Sequence, residues 1–159
     1  MAQPEVRARI SPDWAKDWVA RYLAADNSHD LDRLLSLAAD DVVYLNPRLP
    51  GGVAEGKAAV SAFLVSLWKA FPDLAFEAVG EPFVSIDGAR LAYEWRGTGT
   101  FTGRLEASGV DPTGARIDVT GIDVVEFASG LISRIATVTD SQSLLRQIGA
   151  MPAPPESGH

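Results

Sequence analysis

The stretch "ARIDVTGIDVVEFASGLISRIATVT", residues 115–139, contains two runs of alternating apolar and polar side chains separated by Ser129-Gly130. Alternation with a period of two is typical of half-buried β-strands, and a Ser-Gly pair between two such runs indicates a turn. The stretch therefore predicts strands over 115–128 and 131–139.

Asp123 interrupts the apolar face of the first of these strands. Because successive side chains of a strand point to opposite sides, Asp123 shares its face with Ile117, Val119 and Val125. One interpretation is structural: a buried acid whose oxygens accept hydrogen bonds from neighbouring groups. The other is functional, since burial raises the pKa of a carboxyl group and a neutral carboxylic acid is a strong hydrogen-bond donor. The residues alone leave both open.

At Pro72 the rest of the chain changes from mainly helical to mainly strand-like spacing. Before it, apolar spacing predicts a helix from Pro12 to about Ala25, a short helix over 31–37, a strand over 41–46 and a helix over 56–71. After it, the spacing predicts strands near 74–86 and 90–101, ahead of the two strands above, and a last helical turn after Asp140, which is interpreted mainly as a helix cap.

Helices followed by a run of strands predict the α+β class. We expect a cone: a curved antiparallel β-sheet with the N-terminal helices packed over one face to enclose an apolar cavity. Residues 1–150 are predicted to form a single domain, and residues 151–159 a flexible C-terminal tail.

Composition excludes several classes of function. The chain has 159 residues, a formal net charge of −7, no cysteine and two histidines. The negative charge disfavours nucleic-acid and anionic-membrane surfaces, and the scarcity of histidine and cysteine disfavours a metal site. No run of about 20 apolar residues is present to span a membrane. These features predict a cytoplasmic protein without a metal or other cofactor.

Three segments carry a resemblance to a known family: "ARYLAADNSHDLDRLLSLAADDVVYLNP", the helix start "EGKAAV" and the late strand "GIDVVEF". Together they resemble the cone-shaped fold of the nuclear-transport-factor-2-like superfamily. The pattern is most similar to its SnoaL-like polyketide cyclases and to Δ5-3-ketosteroid isomerase. The similarity covers about residues 14–150. Because this superfamily includes enzymes and binding proteins, function has to be argued from the site.

The resemblance to the isomerase implies two hydrogen-bond donors for a developing oxyanion. Its oxyanion tyrosine matches Tyr22 and its protonated aspartate matches Asp123. Its general base matches Asn46, and an amide cannot take a proton from carbon. The acid/base aspartate of the SnoaL-like cyclases matches Thr137, so that base is missing as well.

A further relative, limonene-1,2-epoxide hydrolase, is similar at Tyr44 and Asn46, where its Tyr and Asn help to position a water molecule. Its catalytic aspartate again matches Thr137. Epoxide hydrolysis by this mechanism therefore requires Asp123 to take the place of the missing acid.

The sequence predicts a cofactor-independent cyclase or isomerase acting on a hydrophobic carbonyl, enol or epoxide compound of polyketide type. Asp123 is expected to act as general acid or oxyanion donor, with Tyr22 as the second donor. Substrate-binding roles are assigned to the side chains Tyr44, Asn46, Trp95 and Thr137. Three alternatives stay open: Asp123 as the base itself, an epoxide hydrolase of the limonene type, and a non-catalytic small-molecule-binding protein. A homodimer through the open face of the sheet is expected from the resemblance.

Overall fold

The computed structural model describes residues 9–152. Most of the predicted tail, residues 153–159, lies outside the described residues. The helices are α1 (Pro12–Asn27), α2 (Leu31–Leu35), α3 (Gly56–Ala70) and α4 (Ser141–Gln147). The strands are β1 (Ala38–Leu45), β2 (Val53–Glu55), β3 (Ala75–Ala78), β4 (Phe83–Val84), β5 (Arg90–Thr100), β6 (Arg116–Ala128) and β7 (Leu131–Thr139).

The helix ends follow the capping signals of the sequence. The Ser11 side chain accepts a hydrogen bond from the backbone N–H of Trp14 at 3.2 Å, and Pro12 takes the first helical position, where its missing N–H is not needed. Asp140 accepts from the backbone N–H of Ser143 at 2.9 Å, which confirms its interpretation as a helix cap. Asp140 is thereby accounted for without a catalytic role.

The strands form one sheet in the order β2-β1-β7-β6-β5-β3, and β4 also pairs with β5. The expectation of an antiparallel sheet is correct for every pair except one, because β1 and β7 run parallel. The segment between these two strands contains α3 and five other strands, so no tight turn constrains them to opposite directions. The structure combines α-helices with one sheet of mainly antiparallel strands, which confirms the predicted α+β class.

Two details of the strands differ from the sequence prediction. The single strand predicted over 74–86 is two strands, β3 and β4, separated by a segment in which Gly80 has a positive φ of 76°. The three-residue strand β2 was not predicted, because it is too short to show alternation. Both β3 and β4 pair with β5, so together they occupy the place in the sheet that a single strand would have taken.

The core lies between the helices and one face of the sheet. From α1 it receives Trp18, Val19 and Leu23, and from α3 it receives Leu64 and Leu67. The alternation of β6 holds from Ile117 to Val125, so Asp123 lies on the inner face, as its position in the alternation predicts. A register shift follows between Glu126 and Phe127. No helix within residues 9–152 is long and apolar enough to cross a membrane.

Candidate active site

A pocket lies between the helices α1, α2 and α3 and the inner face of β1, β5, β6 and β7. Its volume is about 60 Å³, which exceeds the roughly 10–15 Å³ that one water molecule requires. Much of its wall is aliphatic, with contributions from Leu23, Leu34, Val60, Leu64, Leu67 and Ile132. The polar groups in this wall therefore lie in a largely apolar environment.

Asp123 is buried in this wall, with 7% of its surface exposed, and its carboxyl group accepts three hydrogen bonds. The Tyr93 hydroxyl donates to Oδ2 at 2.7 Å, the Thr137 hydroxyl donates to Oδ1 at 2.7 Å, and the Trp95 indole N–H donates to Oδ1 at 3.1 Å. Asp123 pairs across the sheet with Tyr93 on one side and with Thr137 on the other. Strand register therefore brings the carboxyl group and two of its donors together.

Gly121 allows the third donor to reach the carboxyl group. It lies opposite Trp95 in the register of β5 and β6, and a Cβ atom at this position would lie 2.3 Å from the Trp95 ring. Any larger residue would displace the indole, since real Cβ atoms do not approach other atoms so closely. The glycine two residues before Asp123 is thus part of the site.

The two oxygens of Asp123 are not equivalent. An indole N–H can only donate, so Oδ1 accepts from Trp95 whether or not the acid is ionised. A proton on the carboxyl group is therefore placed on Oδ2, where the Tyr93 hydroxyl can turn to accept. Burial raises the pKa of Asp123, while the hydrogen bonds from Thr137, Tyr93 and Trp95 and the positive charge of Arg48 oppose that rise.

Two of the tyrosines in the pocket wall are donors with strongly raised pKa values. Burial raises the pKa of Tyr22 well above that of an ordinary tyrosine and raises the pKa of Tyr44 to about 12. Both phenols therefore keep their protons at neutral pH. The Tyr22 hydroxyl makes no hydrogen bond to any residue in the described part of the chain, so it is available to a bound molecule.

Asn46 lies behind the pocket rather than in its wall. It is 1% exposed, and its side-chain amide donates to the Tyr44 hydroxyl at 2.8 Å. The Tyr44 hydroxyl in turn lies 3.4 Å from the Thr137 hydroxyl. The Asn46 side-chain oxygen accepts from the backbone N–H of Arg48 at 3.0 Å. Asn46 was assigned to substrate contact from the sequence, whereas this geometry makes it a positioning residue for Tyr44 and for the loop that follows.

Sequence reasoning missed Asp26, a second carboxyl group in the pocket wall. Burial, and then the negative charge of Asp123, raise the pKa of Asp26 to about 7. The nearby Trp68 indole N–H opposes this rise, although it makes no hydrogen bond of standard geometry. Asp26 follows Tyr22 by four residues on α1, so the helical period places both on one face of the helix. That spacing is the signal from which Asp26 was predictable.

Sequence reasoning also missed Arg48, whose guanidinium group lies in the wall of the same pocket. It belongs to the turn after β1, where "PRLPGG" indicated only a change of direction. Side-chain direction in such a turn depends on tertiary packing, so no sequence signal identifies it. Within residues 9–152, no group of three or more His, Cys, Asp or Glu side chains is arranged to hold a metal ion.

Solved structures with the same fold span most of this chain. AclR from Streptomyces galilaeus, a proposed hydroxylase, is 25% identical with a TM-score of 0.75, covering 92% of this chain and 91% of its own. A proposed SnoaL-like polyketide cyclase from Jannaschia sp. CCS1 is 21% identical with a TM-score of 0.75, covering 95% of this chain and 100% of its own. These similarities confirm the nuclear-transport-factor-2-like fold expected from the resemblance.

A third structure is SalBIII, described as an epoxide hydrolase/cyclase-like enzyme with a role in pyran ring formation in the polyether salinomycin. It is 21% identical to this chain with a TM-score of 0.67, covering 82% of this chain and 94% of its own. A search of curated proteins found no match. The family model for SnoaL-like polyketide cyclases matches residues 16–148, and the chain therefore belongs to the SnoaL-like polyketide cyclase family.

Proposed function

We propose that this protein is a cofactor-independent cyclase or isomerase that acts on a hydrophobic carbonyl, enol or epoxide compound. The observation that carries this proposal is the buried Asp123 carboxyl group, held by three donors in the wall of an apolar pocket. Burying an acid costs free energy, and a protein that only binds an apolar ligand gains little from it.

Asp123 acts in this proposal as the general acid or oxyanion donor. Burial raises its pKa above that of an ordinary aspartate, and the proton of its neutral form lies on Oδ2. Tyr22 is the second donor, since its hydroxyl is unbonded in the described structure and its pKa keeps it protonated. Donors that reach the same substrate oxygen stabilise the negative charge that develops there as a carbonyl enolises or an epoxide opens.

Asp26 supplies the base that Asn46 and Thr137 cannot supply. Burial is the larger cause of the raised Asp26 pKa and acts whether or not Asp123 is ionised, so near neutral pH this carboxylate accepts a proton more readily than an ordinary aspartate does. It lies in the same pocket wall as Tyr22 and Asp123. The two carboxyl groups thus divide acid and base work, although the base lies on a helix rather than on a strand.

The experiment that tests this function follows deuterium exchange next to a carbonyl group. β-Tetralone in D₂O is incubated with the protein, and loss of the proton signal is followed by NMR. We expect exchange above the buffer rate, and Tyr22→Phe is expected to lower the catalysed rate by about 10²-fold because one oxyanion donor is lost. Trp14→Phe, on the same helix and outside the pocket wall, serves as the control and is expected to keep the rate.

Two other outcomes would overturn this function. Hydrolysis of styrene oxide to its diol, without any catalysed exchange, would favour the epoxide-hydrolase alternative. Binding of β-tetralone without exchange or epoxide opening would favour a non-catalytic binding protein.

We further propose that the protein forms a homodimer through the outer face of its sheet. Ile122 and Val138 pair across β6 and β7 on the face opposite Asp123, and both are exposed, Val138 to 67%. Val79 is also exposed, and the three aliphatic side chains line one groove on this outer face. Exposed aliphatic side chains grouped on one face are typical of protein contact surfaces.

Val138→Glu is expected to convert the dimer to a monomer, because it places a charge beside Ile122 among the exposed aliphatic side chains of this face. Ile86→Glu is the matched control, since Ile86 is 98% exposed in a turn away from the groove. Sedimentation velocity measures the mass of each variant. A wild-type protein that sediments as a monomer at micromolar concentration would contradict the proposal.

A further inference from the structure

The turn after β1 holds the backbone of Arg48 in place. The Arg48 N–H donates to the Asn46 side-chain oxygen at 3.0 Å, and the Leu49 N–H donates to the Asn46 backbone oxygen at 3.0 Å. Asn46 itself is buried, and its own N–H donates to the backbone oxygen of Gly52 at 3.1 Å. This network sets the direction from which the Arg48 side chain enters the pocket wall.

The Arg48 guanidinium group has no partner among residues 9–152. Its Nε atom is buried without a hydrogen bond, and the group forms no ion pair with a described carboxyl group. A guanidinium group has five N–H donors in a planar fork that matches a carboxylate, and burying such a charge unpaired is costly. The half-buried Arg48 side chain in the pocket wall therefore has N–H donors free for an anionic group of a bound molecule.

The surroundings locate that partner within the pocket. Burial lowers the pKa of Arg48, while the nearby groups Tyr44 and Asp123 oppose that effect. Asn46, which holds the Arg48 backbone, also bonds the Tyr44 hydroxyl, and that hydroxyl lies 3.4 Å from the Thr137 hydroxyl that bonds Asp123. Arg48 therefore enters the pocket from the Asp123 side. The aliphatic wall formed by α2 and α3 requires that the rest of the bound molecule be hydrophobic.

We propose that the substrate is a hydrophobic compound with an acidic oxygen group, either a carboxylate or the enolate of a dicarbonyl, and that Arg48 binds this group. This substrate class rests on the proposed function, because it concerns the same pocket. Asp26, with a pKa of about 7, is partly neutral at neutral pH, and a bound anion favours that neutral form. An acidic dicarbonyl compound loses its proton readily, so a weak base is sufficient to form the enolate that Arg48 holds.

The test compares benzoate with benzamide, which have the same shape and differ in charge. Affinity is measured at neutral pH by ligand-observed NMR. We expect benzoate to bind wild-type protein at least about tenfold more tightly than benzamide, because a guanidinium and a carboxylate form a bidentate charged pair. Arg48→Met is expected to remove this preference and Arg48→Lys to keep part of it. Arg90→Met removes one exposed positive charge outside the pocket wall and is expected to change nothing.

A second measurement does not depend on whether the variants fold. Benzoate is expected to shift the resonance of the Arg48 Nε–H group in wild-type protein, whereas benzamide leaves it unchanged. Equal affinity for benzoate and benzamide, or a preference that survives Arg48→Met, would overturn the assignment of Arg48. Neither measurement requires turnover. The anion preference can therefore be present when the protein does not catalyse exchange of β-tetralone, and exchange can be catalysed when the anion preference is absent.

Discussion

Asp123→Asn is expected to lower the catalysed exchange rate by about 10³-fold and to leave ligand affinity nearly unchanged, since general acid catalysis typically contributes 10²–10⁴-fold. An amide has the shape of the carboxyl group. Its oxygen can still accept from Trp95 and Thr137, and its NH₂ group can donate to the Tyr93 hydroxyl once that hydroxyl turns. The variant thus keeps the structure of the site and removes only its transferable proton.

Exchange rate and affinity are measured separately for this variant, by the NMR assay with β-tetralone and by ligand-observed NMR. Asp118→Asn is the matched control, because Asp118 lies on the outer face of the same strand and pairs there with Arg96. We expect this control to keep the wild-type rate. A variant at position 123 that retains more than about a tenth of the rate would assign Asp123 to structure, since removal of the acid must cost more than that.

Asp26→Asn is expected to change how stability depends on pH. The pKa of Asp26 is about 7 in the folded chain, compared with 3.8 for an ordinary aspartate. Between these values the unfolded chain has lost the proton and the folded chain still holds it, so wild-type stability falls as pH rises through this window. Asparagine does not titrate. Asp26→Asn should therefore gain about 2 kcal/mol relative to wild type between pH 5.5 and pH 8.5.

Urea unfolding of both proteins at these two pH values measures the difference. Asp17→Asn is the matched control, because Asp17 lies on the same helix and is exposed in an ion pair with Arg21. Its stability relative to wild type is expected to change little over the same range, since exposed ion pairs contribute weakly. If the relative stability of Asp26→Asn is the same at both pH values, Asp26 titrates as an ordinary exposed acid and is not the base of the proposed reaction.

The predicted fold followed from features that act locally along the chain. The capping residue Ser11, Pro12 at the helix start and the break at Pro72 gave the helices, and alternation gave the long strands. Pairing between distant segments was harder to predict. The parallel pair β1 and β7 and the short strand β2 depend on contacts that no local pattern contains.

The position of Asp123 on the inner face was determined by the sequence, because the side-chain period of a strand depends only on the strand. Its partners were decided by the tertiary structure. Register places Tyr93 and Thr137 on either side of it, and Gly121 admits the indole of Trp95. Alternation predicts a face, but it does not predict which residues of a neighbouring strand stand opposite.

The same distinction separates the pocket residues that were predicted from those that were not. Tyr22 followed from the resemblance to ketosteroid isomerase, and Asp26, four residues further along α1, could have been found from the helical spacing. Arg48 was not, because it lies in a turn whose backbone is held by Asn46 and whose side chain enters a pocket built from distant elements. The sequence by itself determined the elements and the faces of their side chains. Only the packing of those elements decided which charged groups meet in the pocket, because burial and proximity are set by contacts between segments far apart in the chain.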